Sequence, residues 1–167
     1  MKLVGRVVEM NIDGRYAYAL CTHENIDHGF EILRLYRFLM PEPYKGKMSS
    51  LDFDNYRMII KFPLKHCLGS PEFKLVGHVR VSAAEKALPR FRSVGLSKPD
   101  EMPSGWWIID GDNEEWVDAL TLEMMHYPDD DIPNLAEIKR IYDEDIYTHS
   151  IDVLQRGPLS FDPTRQN

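Results

Sequence analysis

Val7-Val8-Glu9-Met10-Asn11-Ile12-Asp13-Gly14-Arg15-Tyr16-Ala17-Tyr18-Ala19-Leu20 decides the fold. Residues 3–10 are rich in valine, with Gly5 interrupting them, and residues 16–20 return as a second apolar run. The Asp13-Gly14 step between them tolerates the positive φ that tight hairpins demand, so the stretch predicts two antiparallel strands. Outward from it, residues 22–29 predict a polar loop. Residues 30–38 predict a strand in which a period of two holds only in part, ended by Pro41 and Pro43. Residues 45–54 read as a loop, and Tyr56–Phe62 as a strand stopped by Pro63. Residues 73–81 alternate best, with Phe73, Leu75, Gly77, Val79 and Val81 on one face, and Gly77 marks a bulge or a close backbone approach. Residues 83–88 predict one helical turn before Pro89.

In the back half, Pro99, Pro103 and Gly105 punctuate a loop. Trp106-Trp107-Ile108-Ile109 predicts a short buried strand, Asp110-Gly111-Asp112-Asn113 a turn, and residues 115–117 the return. Residues 120–125 fit either strand or helix. Asp131-Ile132-Pro133 predicts a helix start, with Asp131 near the cap and Pro133 in the first turn. Leu135, Ile138, Ile141 and Tyr142 then recur at helical spacing, to about Asp145. Residues 151–154 add a last strand. The sum is an α+β fold, mainly antiparallel, with a strongly twisted sheet or partly open barrel and one or two helices in the C-terminal half. Residues 1–157 are expected to form a single globular domain, and residues 158–167 a loosely held tail.

The charge is divided unevenly. Residues 1–99 carry sixteen Lys and Arg against ten Asp and Glu, a formal +6; residues 100–167 carry four against seventeen, a formal −13, which together give the chain's −7. Acidic side chains cluster at Asp110, Asp112, Glu114, Glu115 and Asp118, then at Asp129, Asp130 and Asp131, then at Asp143, Glu144 and Asp145. Such a field repels nucleic acid and speeds association with basic partners. A solvated face serving only solubility accounts for the same pattern. No secretory signal opens the chain, and no run approaches the roughly 18 apolar residues of a membrane helix. Cys21 and Cys67, in no recognisable spacing, fit buried small hydrophobes in a reducing cytosol better than a disulfide.

Chemical motifs are sparse. Asp110-Gly111-Asp112-Asn113-Glu114 is similar to a calcium loop, but the sixth position is Glu115 where glycine is required and the twelfth is Thr121 where glutamate is. His23 and His28, around Glu24 and Asp27, lack further ligands at zinc spacing, His66-Cys67 being the nearest pair. No cofactor is expected. Arg6, Arg15, Arg34, Arg37, Arg57, Lys61, Lys65, Lys74, Arg80, Arg90 and Arg92 interleave with Tyr16, Tyr18, Tyr36 and Tyr56. Basic and aromatic residues on a sheet are one way to hold single-stranded RNA, although the acidic back half opposes it. Trp106, Trp107 and Trp116 flank the first acidic cluster; alternation turns one Trp of the pair inward and leaves another among carboxylates, like an anchor for a basic partner.

Several stretches resemble the bacterial immunity protein 26 family. The opening hairpin, with Asp13-Gly14-Arg15-Tyr16-Ala17-Tyr18, is the sharpest part. Residues 31–36 stand where that family has its next strand. Phe73-Lys74-Leu75-Val76-Gly77-His78 is similar to its W-x-I-I-G strand, and Gly105-Trp106-Trp107-Ile108-Ile109 to the strand leading into an acidic turn. The similarity spans residues 3–157 and is one of pattern, and the segments at 39–54 and 129–131 have no counterpart. The resemblance implies a non-enzymatic protein that binds a cognate toxin domain of a polymorphic toxin system.

The expectation is therefore a cytoplasmic immunity protein, not an enzyme, with no nucleic-acid or membrane partner. Its charge and aromatic placement assign binding of a basic toxin domain, such as a nuclease, to Asp110, Asp112, Glu114, Glu115, Trp116, Asp118, Asp129, Asp130 and Asp131. Two alternatives stand beside it: a ligand-binding module or small enzyme with a pocket near His78, Tyr56 and Cys67, and an RNA binder using the basic front.

Overall fold

The computed structural model describes residues 1–26, 29–95 and 105–144. They form an α+β protein whose strands are mostly antiparallel, lie in two sheets and are not closed into a barrel. The chain divides into two compact units: Met1–Ala87 with Ile132–Glu144, and a second drawn from Leu88–Asp131.

The first unit is a five-stranded sheet in the order β4-β3-β2-β1-β5. Its strands are β1 (Arg6–Ile12), β2 (Arg15–Ile26), β3 (Phe30–Tyr36), β4 (Tyr56–Phe62) and β5 (Phe73–His78). The expected hairpin is present: Ile12 pairs with Arg15 across a two-residue loop, and Asp13 (φ 53°) and Gly14 (φ 81°) both take the positive φ of a type I′ turn. β1 begins at Arg6, later than expected, because Gly5 (φ 85°) is wedged where a Cβ would meet the His78 ring at 2.7 Å and the Val79 carbonyl at 2.8 Å. β2 corrects the expected loop at 22–29, since it continues to Ile26. Thr22 is buried there with its hydroxyl donating to the Ile32 carbonyl at 3.3 Å. Register shifts between Cys21 and His23 and between His23 and Ile26 take up the polar residues as bulges. β5 stops at His78, short of Val81. Gly77 is both the expected bulge, with a register shift opposite Val7 and Val8, and a close approach, where a Cβ would lie 2.5 Å from Met48.

Both faces of this sheet are covered. Val7, Tyr18 and Leu20 pack under Leu51 and Phe53, with Met40, Tyr44 and Met48 alongside, so the segment read as a loop roofs a core. Tyr18 is fully buried; its hydroxyl donates to Glu9 at 2.6 Å and accepts the Tyr44 amide at 2.6 Å. Burial, with the Glu9 hydrogen bond, pushes that hydroxyl up to about 12. The opposite face carries buried Val8, Met10, Ala19, Leu33 and Ile60. The sheet curls until Phe62 and Phe73, on opposite edge strands, meet with ring centroids 5.5 Å apart. Between them runs the single turn α1 (Leu64–Cys67). The buried Glu31 accepts the Lys65 amide at 3.3 Å and lies 3.5 Å from its ammonium.

Helix α2 (Leu135–Glu144) starts later than its sequence signals indicate. Asn134 is the cap: its Oδ1 accepts the Ala136 and Glu137 amides, and Glu137 accepts the Asn134 amide in return. Asp131 and Pro133 therefore precede the helix. Ile138 and Ile141 are its buried residues. Tyr142 donates to the Tyr36 carbonyl at 2.7 Å, and the Arg57 guanidinium donates to the Ile141 carbonyl at 3.0 Å. Two ion pairs tie α2 to the opening hairpin, Lys139–Asp13 at 2.9 Å and Arg15–Asp143 at 2.8 Å. Each aspartate is held below the usual carboxylate range, first by the hydrogen bond from its partner and then by the partner's charge. A depressed carboxyl stabilises the fold above its ordinary value, and that contribution is lost as pH falls through the depressed one. We expect Asp13→Asn with Asp143→Asn to melt below the parent at pH 7, and the gap to close as acid protonates the parent's two carboxyls; melting curves over a pH series check this.

The second unit is a three-stranded sheet in the order β6-β7-β8, comprising β6 (Phe91–Gly95), β7 (Gly105–Asp110) and β8 (Asn113–Val117). Gly111 (φ 61°) opens the two-residue loop between β7 and β8, which is the glycine-first pattern of a II′ turn. Trp106 and Ile108 point to one face, where Leu120 completes a buried cluster with Val94, Val117, Met124, Met125 and Tyr127 around it. Residues 120–125 supply this cover as turns, ending in a 3-10 turn at Met124–His126. The expected turn at 83–88 is a hydrogen-bonded turn, with the Lys86 amide on the Ser82 carbonyl. The expected strand at 151–154 and the tail lie outside the described residues.

Candidate functional site

Alternation along β7 sorts the tryptophans. Trp106 is fully buried, while Trp107 and Trp116 are 39% and 38% exposed. They face each other across β7 and β8 in register, edge to face, with centroids 5.1 Å apart and planes at 72°. The pair is also held from below. Gly95 and Gly105 are paired across β6 and β7, and a Cβ on either would fall 2.0 to 2.2 Å from the Trp116 ring. The indole thus lies on bare backbone that only glycine leaves open. Its N–H donates to Asp118 at 3.0 Å, which fixes its orientation.

Around this aromatic face stand exposed carboxylates. Asp110, Asp112, Glu114, Glu115 and Asp118 are all exposed, and Asp110 is paired with Arg90 at 2.8 Å. In the register, Glu114 stands opposite Ile109 on the side of Trp107 and Trp116, and Glu115 opposite Ile108 on the other. The first acidic cluster thus lies along one hairpin.

The second cluster does not join that exposed surface. Asp129 is buried, and its Oδ1 accepts the Arg92 Nε hydrogen at 2.7 Å. Arg92 also donates to the Met125 carbonyl at 2.9 Å and lies 5.6 Å over the Trp106 ring. The sequence assigned Asp129 to a partner; burial assigns it to its own core, because a guanidinium facing inward from β6 requires a counter-charge. Asp130 and Asp131 are half-buried, and the Asp130 amide donates to the Arg92 carbonyl at 2.7 Å. Asp143 and Glu144 of the third cluster are paired with Arg15 and Arg140. Asp145 is outside the described residues.

Several aromatic and basic side chains of the front half are engaged within the fold. Tyr18 is in the core, and Tyr16 and Tyr36 pack on the cluster beneath residues 40–54. Arg34 pairs with Asp54 at 3.7 Å and lies 5.0 Å over the Tyr56 ring. Arg15, Lys65, Arg90 and Arg92 have carboxylate partners, Arg57 has a carbonyl, and Lys61 is buried. The residues of the alternative pocket belong to three different elements. Tyr56 opens β4, Cys67 closes α1 after the far end of β4, and His78 ends β5.

Burial pushes the Cys21 thiol up to about 12 and raises that of Cys67. Both are free thiols. The His23 ring nitrogens are within hydrogen-bond distance of the Thr22 hydroxyl (2.9 Å) and the Lys86 carbonyl (3.1 Å), and His28 is outside the described residues. Among the described residues no group of three or more His, Cys, Asp or Glu is placed to hold a metal ion, and no helix is long and apolar enough to cross a membrane.

What the sequence reading missed is β6 and its buried arginine. Phe91-Arg92-Ser93-Val94-Gly95 has no period of two, and nothing local pairs Arg92 with a residue 37 positions away. Comparison with family models, with curated proteins and with solved structures found no match.

Proposed function

We propose that this chain is a cytoplasmic immunity protein that binds and neutralises a basic toxin domain, such as a nuclease, by occluding its active site. The chain itself does no chemistry. One observation carries the reading: the β7–β8 hairpin exposes a tryptophan pair bordered by Glu114 and Asp118, with Asp110, Asp112 and Glu115 on the same hairpin. Aromatic anchors ringed by like charge suit a partner of opposite charge, which the carboxylates steer and the indoles hold. The resemblance of the opening hairpin to the immunity protein 26 family supplies the class of partner. The pairing of Arg15, Arg34, Lys65, Arg90 and Arg92 with carboxylates of the chain argues for this reading over RNA binding, and the raised thiols argue for it over a cysteine enzyme.

The test is capture of the toxin domain encoded beside this gene, at low and high salt, with co-expression in a host the domain otherwise kills. Capture together with rescue of growth is the expected result. Absence of capture at both salts rejects the reading for that domain.

A further inference from the structure

Among the described residues, the second sheet has one edge occupied by backbone and one without a backbone partner. On the β6 side, the Arg92 amide donates to the Pro128 carbonyl at 2.9 Å and the Asp130 amide to the Arg92 carbonyl at 2.7 Å, so residues 128–130 occupy that edge. On the β8 side, no backbone bond beyond the ladder with β7 is made by residues 113–117 among the described residues. An antiparallel ladder turns the N–H and C=O of every second residue of an edge strand outward. Counted from the two-residue loop, where Asp110 pairs with Asn113, these are Glu114 and Trp116. An unpaired edge of this kind is a template for another strand.

The side chains limit what can be added. A second copy laid antiparallel on β8 brings Glu114 or Glu115 of one chain opposite an acidic or neighbouring position of the other, and like charges facing across strands destabilise the pairing. A strand with Lys or Arg at alternate positions carries all its cations on one face, where they meet Glu114 with opposite charge. On the Glu114 face its cations also reach the exposed Trp107 and Trp116 rings. We propose that the open edge of β8 takes up an extended basic segment of the partner as a fourth strand, with the backbone of Glu114 and Trp116 forming the new ladder. This rests on the immunity reading for the identity of the partner, and goes beyond it in naming the contact as main-chain pairing.

The probe is a nine-residue peptide of alternating Thr and Lys, added to the full chain at low salt. We expect protection of the Glu114 and Trp116 amides from hydrogen exchange. Glu114→Pro removes an outward N–H without touching the ladder to β7, and should weaken peptide binding about tenfold more than Glu114→Gln, which removes only the charge. The same peptide N-methylated along its bonding edge should lose affinity to a similar degree against the unaltered protein, so the test does not depend on how the proline variant folds. Equal losses for the proline and glutamine variants, an unaffected N-methylated peptide, or binding without protection of the two amides would each overturn the strand addition. Capture of the toxin domain without amide protection rejects the edge but leaves the immunity role standing. Amide protection by the peptide without toxin capture rejects the toxin domain as the occupant.

Discussion

Replacing Asp129 with alanine should destabilise the second unit by about 3–5 kcal/mol, the usual consequence of stranding one partner of a buried ion pair. The Arg92 guanidinium and the Asp129 carboxylate are each about one-tenth exposed and 2.7 Å apart. With the carboxylate gone, a cation that cannot lose its proton remains against the Trp106 ring with little water to solvate it. Replacing both residues by apolar ones of similar size, Arg92→Met with Asp129→Leu, should cost far less, because no charge is then left behind. All three of the chain's tryptophans lie in this unit, so urea unfolding followed by tryptophan fluorescence reports it directly. A double variant no more stable than Asp129→Ala would show that the pair contributes through its hydrogen bonds to surrounding backbone, and that the charge balance is secondary.

Reversing Glu114, Glu115 and Asp118 to lysine should slow association with a basic toxin domain by one to three orders of magnitude at low salt. The three reversals move the formal net charge from −7 to −1, two units for each. All three side chains are exposed, so the fold should tolerate them. The difference from the parent should shrink as salt rises, since the Debye length falls from about 30 Å at 0.01 M to about 3 Å at 1 M. Asp118→Asn is the control for the hydrogen bond that Asp118 accepts from Trp116. Stopped-flow association at several salt concentrations measures the effect. An unchanged association rate and affinity would make the cluster a solvated face and nothing more.

Legibility differed between the elements. The Asp13-Gly14 hairpin was readable because two adjacent residues of the right type carry the whole turn conformation. The Trp106–Trp116 hairpin was readable because alternation over a short apolar run turns one indole of the pair inward, but which one is buried was decided only by the packing of Trp106 against Ile108 and Leu120. The length of β2 was not, because Thr22, His23 and Glu24 are polar and form strand only where bulges let them pair with β3. Nor was the role of residues 40–54: a stretch with Pro41 and Pro43 gives no periodic signal, yet its Leu51 and Phe53 seal the cluster over Tyr18. The helix start moved from Asp131 to Asn134 because several residues there can cap, and the one chosen is the one whose partner, Glu137, completes the reciprocal bonds.

The sequence by itself determined the antiparallel α+β class, the two tight turns, the helical face of α2, and the concentration of negative charge in the back half. These depend on neighbours a few positions apart, where residue type and spacing act directly on the backbone. Only the tertiary structure decided which charges are available to a partner. It withdrew Asp129 into a bond with Arg92, paired Asp143 with Arg15 across 128 positions, and left Glu114 and Glu115 of β8 and Asp118 just beyond it exposed. A carboxylate's availability depends on burial and on the nearest opposite charge, and both are set by residues that the chain brings together from far apart.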